Sequence, residues 1–265
     1  MPFTETSGAR IHWDETGSGS PVLLVMGATY SSAMWYPAIS GLATSHRVIW
    51  FDNRGTGSSE ATKVASISDM VADALAVLDA AGVDQAHVYG VSLGGVIVLQ
   101  LGLESPGRCR SLVLGCTGIL DDAKPRAPKW LDVRFRLPKP LLRSLGKKLS
   151  YGPDTPADLI ARDQEVLDKE QPQRRGLVAQ QDALRAYSVS LDDVRGIKLP
   201  CLVLHGTADK VVRYAWGEEL AQTLPGARFV SLEGAGHNYL VGAADEGNRE
   251  VLAFLAEVDE QVNVS

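Results

Sequence analysis

Short apolar runs alternate along the chain with stretches whose apolar positions recur every three or four residues. That alternation predicts a mostly parallel sheet covered by helices. Candidate strands are Arg10–Glu15, Val22–Met26, Arg47–Phe51, His87–Gly90, Ser111–Gly115, Cys201–Gly206 and Arg228–Leu232. The later ones are rich in Val, Leu and Ile without polar alternation, the pattern of strands buried on both faces. Between them, Ile67–Ala81 sets Ile67, Met70, Val71, Ala74, Leu75, Val77 and Leu78 on one side, and Gly82 supplies a stop. Gly94–Glu104 is almost wholly apolar and reads as a buried helix. Ala215–Thr223 and Asn248–Val258 are the last two candidate helices.

The alternation breaks between residues 121 and 194, where seven prolines separate short helical pieces and no strand pattern appears. The chain therefore divides into an α/β core formed by residues 1–120 and 195–265 and a helical cap inserted at 121–194. Part of the insertion is basic. Between Lys124 and Lys148 nine Lys and Arg residues face Asp132 alone, a net +8 that leaves −14 for the remainder. Such a run is either a solvated helix face, with Leu131, Val133, Phe135, Leu141, Leu142 and Leu145 buried behind it, or a steering surface for an anionic substrate.

Composition narrows the function classes. A chain of 265 residues with 45% hydrophobic and 22% charged residues can bury a full core. Its net charge of −6 argues against a protein built to grip nucleic acid. No stretch approaches the roughly 20 apolar residues of a membrane helix, and the N-terminus lacks the basic start and apolar run of a signal peptide. Cys109, Cys116 and Cys201 show no metal-binding spacing and read as small core residues, so a cytoplasmic protein without a metal is expected.

The strongest chemical signal is His87-Val88-Tyr89-Gly90-Val91-Ser92-Leu93-Gly94-Gly95, a strand, a Gly-x-Ser-x-Gly turn and a helix in succession. A serine on so sharp a turn stands clear of the sheet, and only small neighbours fit beside it. Its hydroxyl needs a base. His12, His46, His87 and His205 lie in or beside strands and read as structural. His237 follows an apolar strand in the glycine-rich loop Glu233–Asn238, where it can reach across the sheet edge. Asp209, after the preceding strand, is the natural acceptor for the imidazole, with Asp121 and Asp122 as rivals. The order Ser92, Asp209, His237 is that of α/β hydrolases. The backbone N–H groups of Leu93 and Ala28 are the candidate oxyanion donors. Tyr30, Trp35, Trp130 and Phe135 are candidates for an apolar substrate pocket, or for core and cap packing.

Together these segments resemble the α/β-hydrolase superfamily. Gly90–Gly95 matches its nucleophile turn, Asp52-Asn53-Arg54-Gly55-Thr56-Gly57-Ser58-Ser59 its D-x-R-G-x-G-x-S segment, and His205–Asp209 and Gly236-His237 its acid and base segments. The resemblance implies an eight-stranded sheet, a cap after the sixth strand and no cofactor. It makes Asp52–Ser59 a structural turn in which Arg54 is held away from substrate. A serine at position 92 is unlike haloalkane dehalogenases and epoxide hydrolases. The turn is similar to those of small carboxylesterases, 3-oxoadipate enol-lactonases, polyketide methyl esterases and some carbon–carbon bond hydrolases. Met26-Gly27, where many relatives have His-Gly, is similar to polyketide methyl esterases. The implied activity is hydrolysis of a small carboxylic ester or lactone through an acyl-enzyme, with perhydrolysis as a side activity. The alternatives are carbon–carbon bond hydrolysis of a diketone and a small-molecule receptor on the same fold.

Overall fold

Each predicted apolar run is a strand of one eight-stranded sheet. The strands are β1 (Phe3–Thr6), β2 (Ala9–Gly17), β3 (Ser20–Val25), β4 (His46–Phe51), β5 (Ala86–Val91), β6 (Cys109–Gly115), β7 (Cys201–Gly206) and β8 (Arg228–Leu232). The computed structural model describes residues 2–6, 8–60, 66–123, 138–169 and 173–264. The spatial order is β1-β2-β4-β3-β5-β6-β7-β8. β1 and β2 run antiparallel at one edge, and β3 to β8 are parallel. β1 escaped the periodicity because its four residues are short, polar and only half-covered. It exists by pairing with β2, Phe3 opposite His12.

Parallel neighbours need crossovers, and helices supply them. They are α1 (Tyr36–Leu42), α2 (Ile67–Ala80), α3 (Leu93–Glu104), α4 (Lys139–Ser150), α5 (Ala157–Lys169), α6 (Arg174–Ala186), α7 (Leu191–Arg195), α8 (Tyr214–Thr223), α9 (Tyr239–Gly242) and α10 (Ala244–Val264). α2 opens on a capping box, in which the Asp69 N–H donates to Ser66 Oγ at 3.0 Å and the Ser66 N–H returns to Asp69 Oδ2 at 2.8 Å. α10 starts earlier than its apolar period indicates, with Asp245 and Glu246 favourably placed in its first turn.

The sheet separates two cores. On one face α2 and α3 pack Met70, Leu78, Ile97 and Leu101 over Leu23, Val88 and Leu112. On the other, α1 and α10 cover Leu24, Tyr89 and Val113 with Ala38, Val251 and Leu255. Trp35 belongs to this second core. It is fully buried, edge-on to Tyr89 with ring centroids 4.8 Å apart. The expectation that it lines a pocket is therefore corrected: it exposes no surface to a ligand. The three cysteines are buried and free. Burial pushes the thiols of Cys109 and Cys201 up to about 12. No helix among the described residues is long and apolar enough to cross a membrane.

Residues 121–194 carry α4 to α6, all but the last residue of α7 and, among the described residues, no strand. α6 docks on the Asp52–Ser59 turn so closely that a Cβ on Gly55 would stand 2.3 Å from Gly176 Cα. Trp130, Phe135 and most of the basic run lie outside the described residues. Of that run, exposed Arg143 pairs with Asp168 at the surface.

The Asp52–Ser59 turn is a knot of internal hydrogen bonds. The Asp52 carboxylate accepts from the Ser32 N–H at 2.8 Å and the Ser58 N–H at 2.9 Å, and it meets His12 Nδ1 at 3.0 Å. Arg54 Nε and Nη2 reach the two oxygens of Asp73 on α2 at 2.6 and 2.7 Å, both side chains buried. A charge left alone there has no water to solvate it. Arg54→Met is therefore expected to destabilise the protein by about 3–5 kcal/mol. Joint replacement of Arg54 and Asp73 by Met and Leu should recover most of that loss. Urea denaturation measures both, and a loss below about 1 kcal/mol in Arg54→Met would show that the pair does not hold the turn.

Candidate active site

Sequence and backbone agree first at Ser92. It sits between β5 and α3 at φ 55° and ψ −119°, a conformation that L-residues rarely adopt. The glycines around it are required by space. A Cβ on Gly90 would lie 2.2 Å from Gly94 O, and one on Gly94 would lie 2.0 Å from Val25 O. Among the described residues three non-glycine residues have positive φ: Thr29, Ser92 and Cys116. All three follow the carboxyl ends of adjacent parallel strands β3, β5 and β6, the edge where open α/β sheets bind ligands.

Asp209 follows β7 and His237 follows β8. Asp209 Oδ2 accepts from His237 Nδ1 at 2.8 Å. This fixes the tautomer that leaves the Nε2 lone pair free to take a proton. The imidazole thus faces Asp209 and not the rival acids Asp121 and Asp122. Asp209 has no exposed side-chain surface. Burial pushes its carboxyl up, but the His237 charge and hydrogen bonds from His205, His237 and the Val212 N–H outweigh it, holding the group below the usual carboxylate range. Oδ1 takes the N–H groups of Val211 and Val212 at 2.7 and 2.9 Å. Among the described residues no hydrogen bond joins Ser92 to His237. Catalytic hydrogen bonds are often long in a free enzyme and tighten around substrate.

His205 takes the structural part expected of it. Its Nε2 lies 3.3 Å from Asp209 Oδ2 and 3.1 Å from Val212 O. Cys116, His205 and Asp209 bring one possible ligand atom each within 4.8 Å of one another. Their hydrogen bonds make them the seat of the acid: both Asp209 oxygens are already engaged by donors, and Cys116 is fully buried beneath them, its thiol pushed well up by burial and by the Asp209 charge.

The loop after β3 approaches the serine from the other side. A Cβ on Gly27 would lie 3.2 Å from Ser92 Cβ. The Thr29 N–H is occupied, donating to Gln180 Oε1 at 2.9 Å, while Gln180 Nε2 donates to Arg54 O at 3.1 Å. The Asn53 side chain holds Met26 O at 2.7 Å. The N–H of Ala28, by contrast, donates to no protein group among the described residues, and the first-turn N–H of Leu93 has no acceptor within its helix. Tyr30 is half-buried and near enough to Tyr151 to act on its hydroxyl electrostatically.

Two buried residues around the site were not singled out by the sequence reading. Gln180 clamps the loop after β3. Asp163, on α5, accepts from Tyr36 Oη at 3.3 Å, from Asn238 Nδ2 at 3.0 Å and from Tyr151 Oη. Their signal was present: Asp163 interrupts the apolar stripe Leu159, Ile160, Val166, Leu167, and Gln180 interrupts Leu177, Leu184. A polar residue at a buried helical position must find a partner.

Known proteins share this architecture. The sequence profile of the α/β hydrolase fold matches residues 20–243. RutD of Azorhizobium caulinodans, whose name is that of a proposed carbamate hydrolase, is 30% identical over 98% of this chain and 100% of its own. BpoC of Mycobacterium tuberculosis, named for a proposed non-heme bromoperoxidase, is 31% identical over 94% of this chain and 98% of its own. The solved structure of the enol-lactonase from Burkholderia xenovorans superposes with a TM-score of 0.88 at 25% identity, over 96% of this chain and 100% of that one. The sheet order, the strained turn at the end of β5 and these likenesses agree, and the chain belongs to the α/β-hydrolase family.

Proposed function

We propose that this hydrolase is a serine enzyme that cleaves a small carboxylic ester or lactone through an acyl-enzyme. The observation that carries the reading is the hydrogen bond between His237 and the buried Asp209 carboxylate, at the same carboxyl edge of the sheet as a serine held at φ 55°. In the first step His237 Nε2 takes the proton of Ser92 as Oγ attacks the substrate carbonyl. The tetrahedral oxyanion is stabilised by the N–H groups of Ala28 and Leu93, both free to donate. Collapse expels the alcohol, which takes the proton from His237. Water then attacks the acyl-enzyme, again with His237 as base, and releases the acid and Ser92. Asp209 keeps the imidazole oriented and offsets its transient positive charge. In this reading α5 and α6, which reach the loops around Ser92 and His237 through Asp163 and Gln180, belong to a cap over this edge.

The likeness to the enol-lactonase supports the lactone, and the likeness to RutD favours a second reading, a carbamate, whose carbonyl would be attacked in the same way. The test is a fluorophosphonate probe followed by turnover of p-nitrophenyl esters, lactones and carbamates. Stoichiometric labelling with ester or lactone turnover is the expected result. Carbamate turnover alone would shift the substrate class and keep the nucleophile. Labelling without turnover of any of them would favour a carbon–carbon bond or a receptor role. An unlabelled protein would remove the serine mechanism.

A further inference from the structure

We propose that Asp163 is a positioning residue that holds the His237 loop in its working geometry through Asn238, an inference that rests on the serine-hydrolase reading above. Asn238 directly follows the base and opens α9. Its side chain does not cap that helix; instead Nδ2 donates to Asp163 Oδ2 at 3.0 Å. Its backbone N–H donates to Ser150 O at 2.7 Å. The loop before it is hemmed in by the same stretch of chain: a Cβ on Gly236 would lie 2.5 Å from Tyr151 C, and one on Gly152 would lie 1.9 Å from Gly234 O. The imidazole is thus held by Asp209 through Nδ1, and its own chain is held by Ser150 and Asp163.

Asp163 also reaches the opposite wall of the site. Its Oδ1 accepts from Tyr36, the first residue of α1, which follows the loop carrying Ala28 through the short helical turn Ser32–Trp35. The same carboxylate takes Tyr151, whose hydroxyl is itself approached by Gln164 Nε2 at 3.2 Å. One buried carboxylate therefore fixes the spacing between the oxyanion loop and the base loop. Burial pushes the Asp163 carboxyl up, with its three donors acting in the opposite sense. An apolar residue would complete the stripe of α5 without that desolvation cost. The arrangement accepts the cost and obtains three directed hydrogen bonds, which set geometry to a fraction of an ångström where simple packing would not.

The experiment compares wild type, Asp163→Asn, Asn238→Asp, Asn238→Ala and the double variant Asp163→Asn/Asn238→Asp, each checked by circular dichroism. The readouts are the second-order rate of fluorophosphonate labelling and the separate kcat and KM for p-nitrophenyl acetate. Asp163→Asn keeps one oxygen to accept from Asn238 and Tyr151 and turns its amide nitrogen to the Tyr36 hydroxyl, so it removes the charge and keeps the contacts, whereas Asn238→Asp sets two carboxylates against each other. Asn238→Asp and Asn238→Ala should label about 10- to 100-fold more slowly, with the loss in kcat and KM little changed, and Asp163→Asn should lose less. The double variant restores one donor and one acceptor across the pair and should recover most of the rate. If Asp163→Asn fails to fold, Asn238→Ala carries the test, because its side chain is only half-buried. Wild-type labelling rates in Asn238→Ala, or a double variant no faster than the slower single, would overturn the proposal and leave the triad standing. A wild-type protein that does not label would overturn the serine-hydrolase reading and this inference with it.

Discussion

Replacing Ser92 by alanine is expected to lower turnover by about 10⁶-fold and to abolish covalent labelling. The size follows from what the serine alone supplies. Asp209 and His237 form a base with nothing to deprotonate once Oγ is gone, so the triad loses its function as a unit. What survives is the modest effect of the oxyanion donors and of binding. The substitution is clean, because alanine keeps the Cβ that lies against Gly27 and the backbone at φ 55° is held by the packing of Gly90 and Gly94 rather than by the hydroxyl. Melting temperature should therefore stay near wild type while activity disappears. A loss of less than tenfold would mean that Ser92 is not the nucleophile.

Asp209→Asn should lower turnover by up to about 10⁴-fold. An asparagine at 209 can present its amide nitrogen to His237 Nδ1, and the imidazole then carries its proton on Nε2, where it cannot accept one from Ser92. The two N–H groups of Val211 and Val212 still need an acceptor, which steers the amide oxygen to them and the amide nitrogen toward the histidine. The pH dependence has a defined sign. Because the Asp209 carboxyl is held below the usual carboxylate range, it remains ionised over the range in which enzymes are assayed. A depressed carboxyl also contributes stability that is present above the ordinary aspartate pKa and is lost as pH falls through the folded value. Near-normal activity in Asp209→Asn would pass the role of the acid to Asp121 or Asp122.

How much of this was legible beforehand depended on whether the physical cause was local. The strands β3, β5, β6 and β7 were plain in sequence because burial on both faces demands uninterrupted apolar residues. The serine turn was plain because Gly90 and Gly94 are forced by contacts at their own Cα positions. Asp209 and His237 stood out as candidates because each lies in the loop that follows the carboxyl end of an apolar strand, β7 and β8. β1 was not, since a short polar strand is stabilised by its partner rather than by its own composition. Trp35 was left open between pocket and core for a related reason: an aromatic near a helix start looks the same whether it faces Tyr89 or a substrate. Asp163 and Gln180 sat in view on apolar stripes, but their donors lie far away along the chain, Tyr36 and Asn238 for the one and Thr29 for the other.

By itself, the sequence determined the α/β layering and the near-complete list of eight strands, and it put Ser92, Asp209 and His237 forward as candidates in that order, because period, glycine sterics and strand ends act over a few residues. Tertiary structure alone decided that Gln180 takes the Thr29 N–H, that Arg54 pairs with Asp73, and that the Asp163 carboxylate on α5 meets both Tyr36 and Asn238. Those are contacts between segments 19 to 151 residues apart, and burying a polar group binds it to whichever partner the fold delivers, which no local pattern encodes.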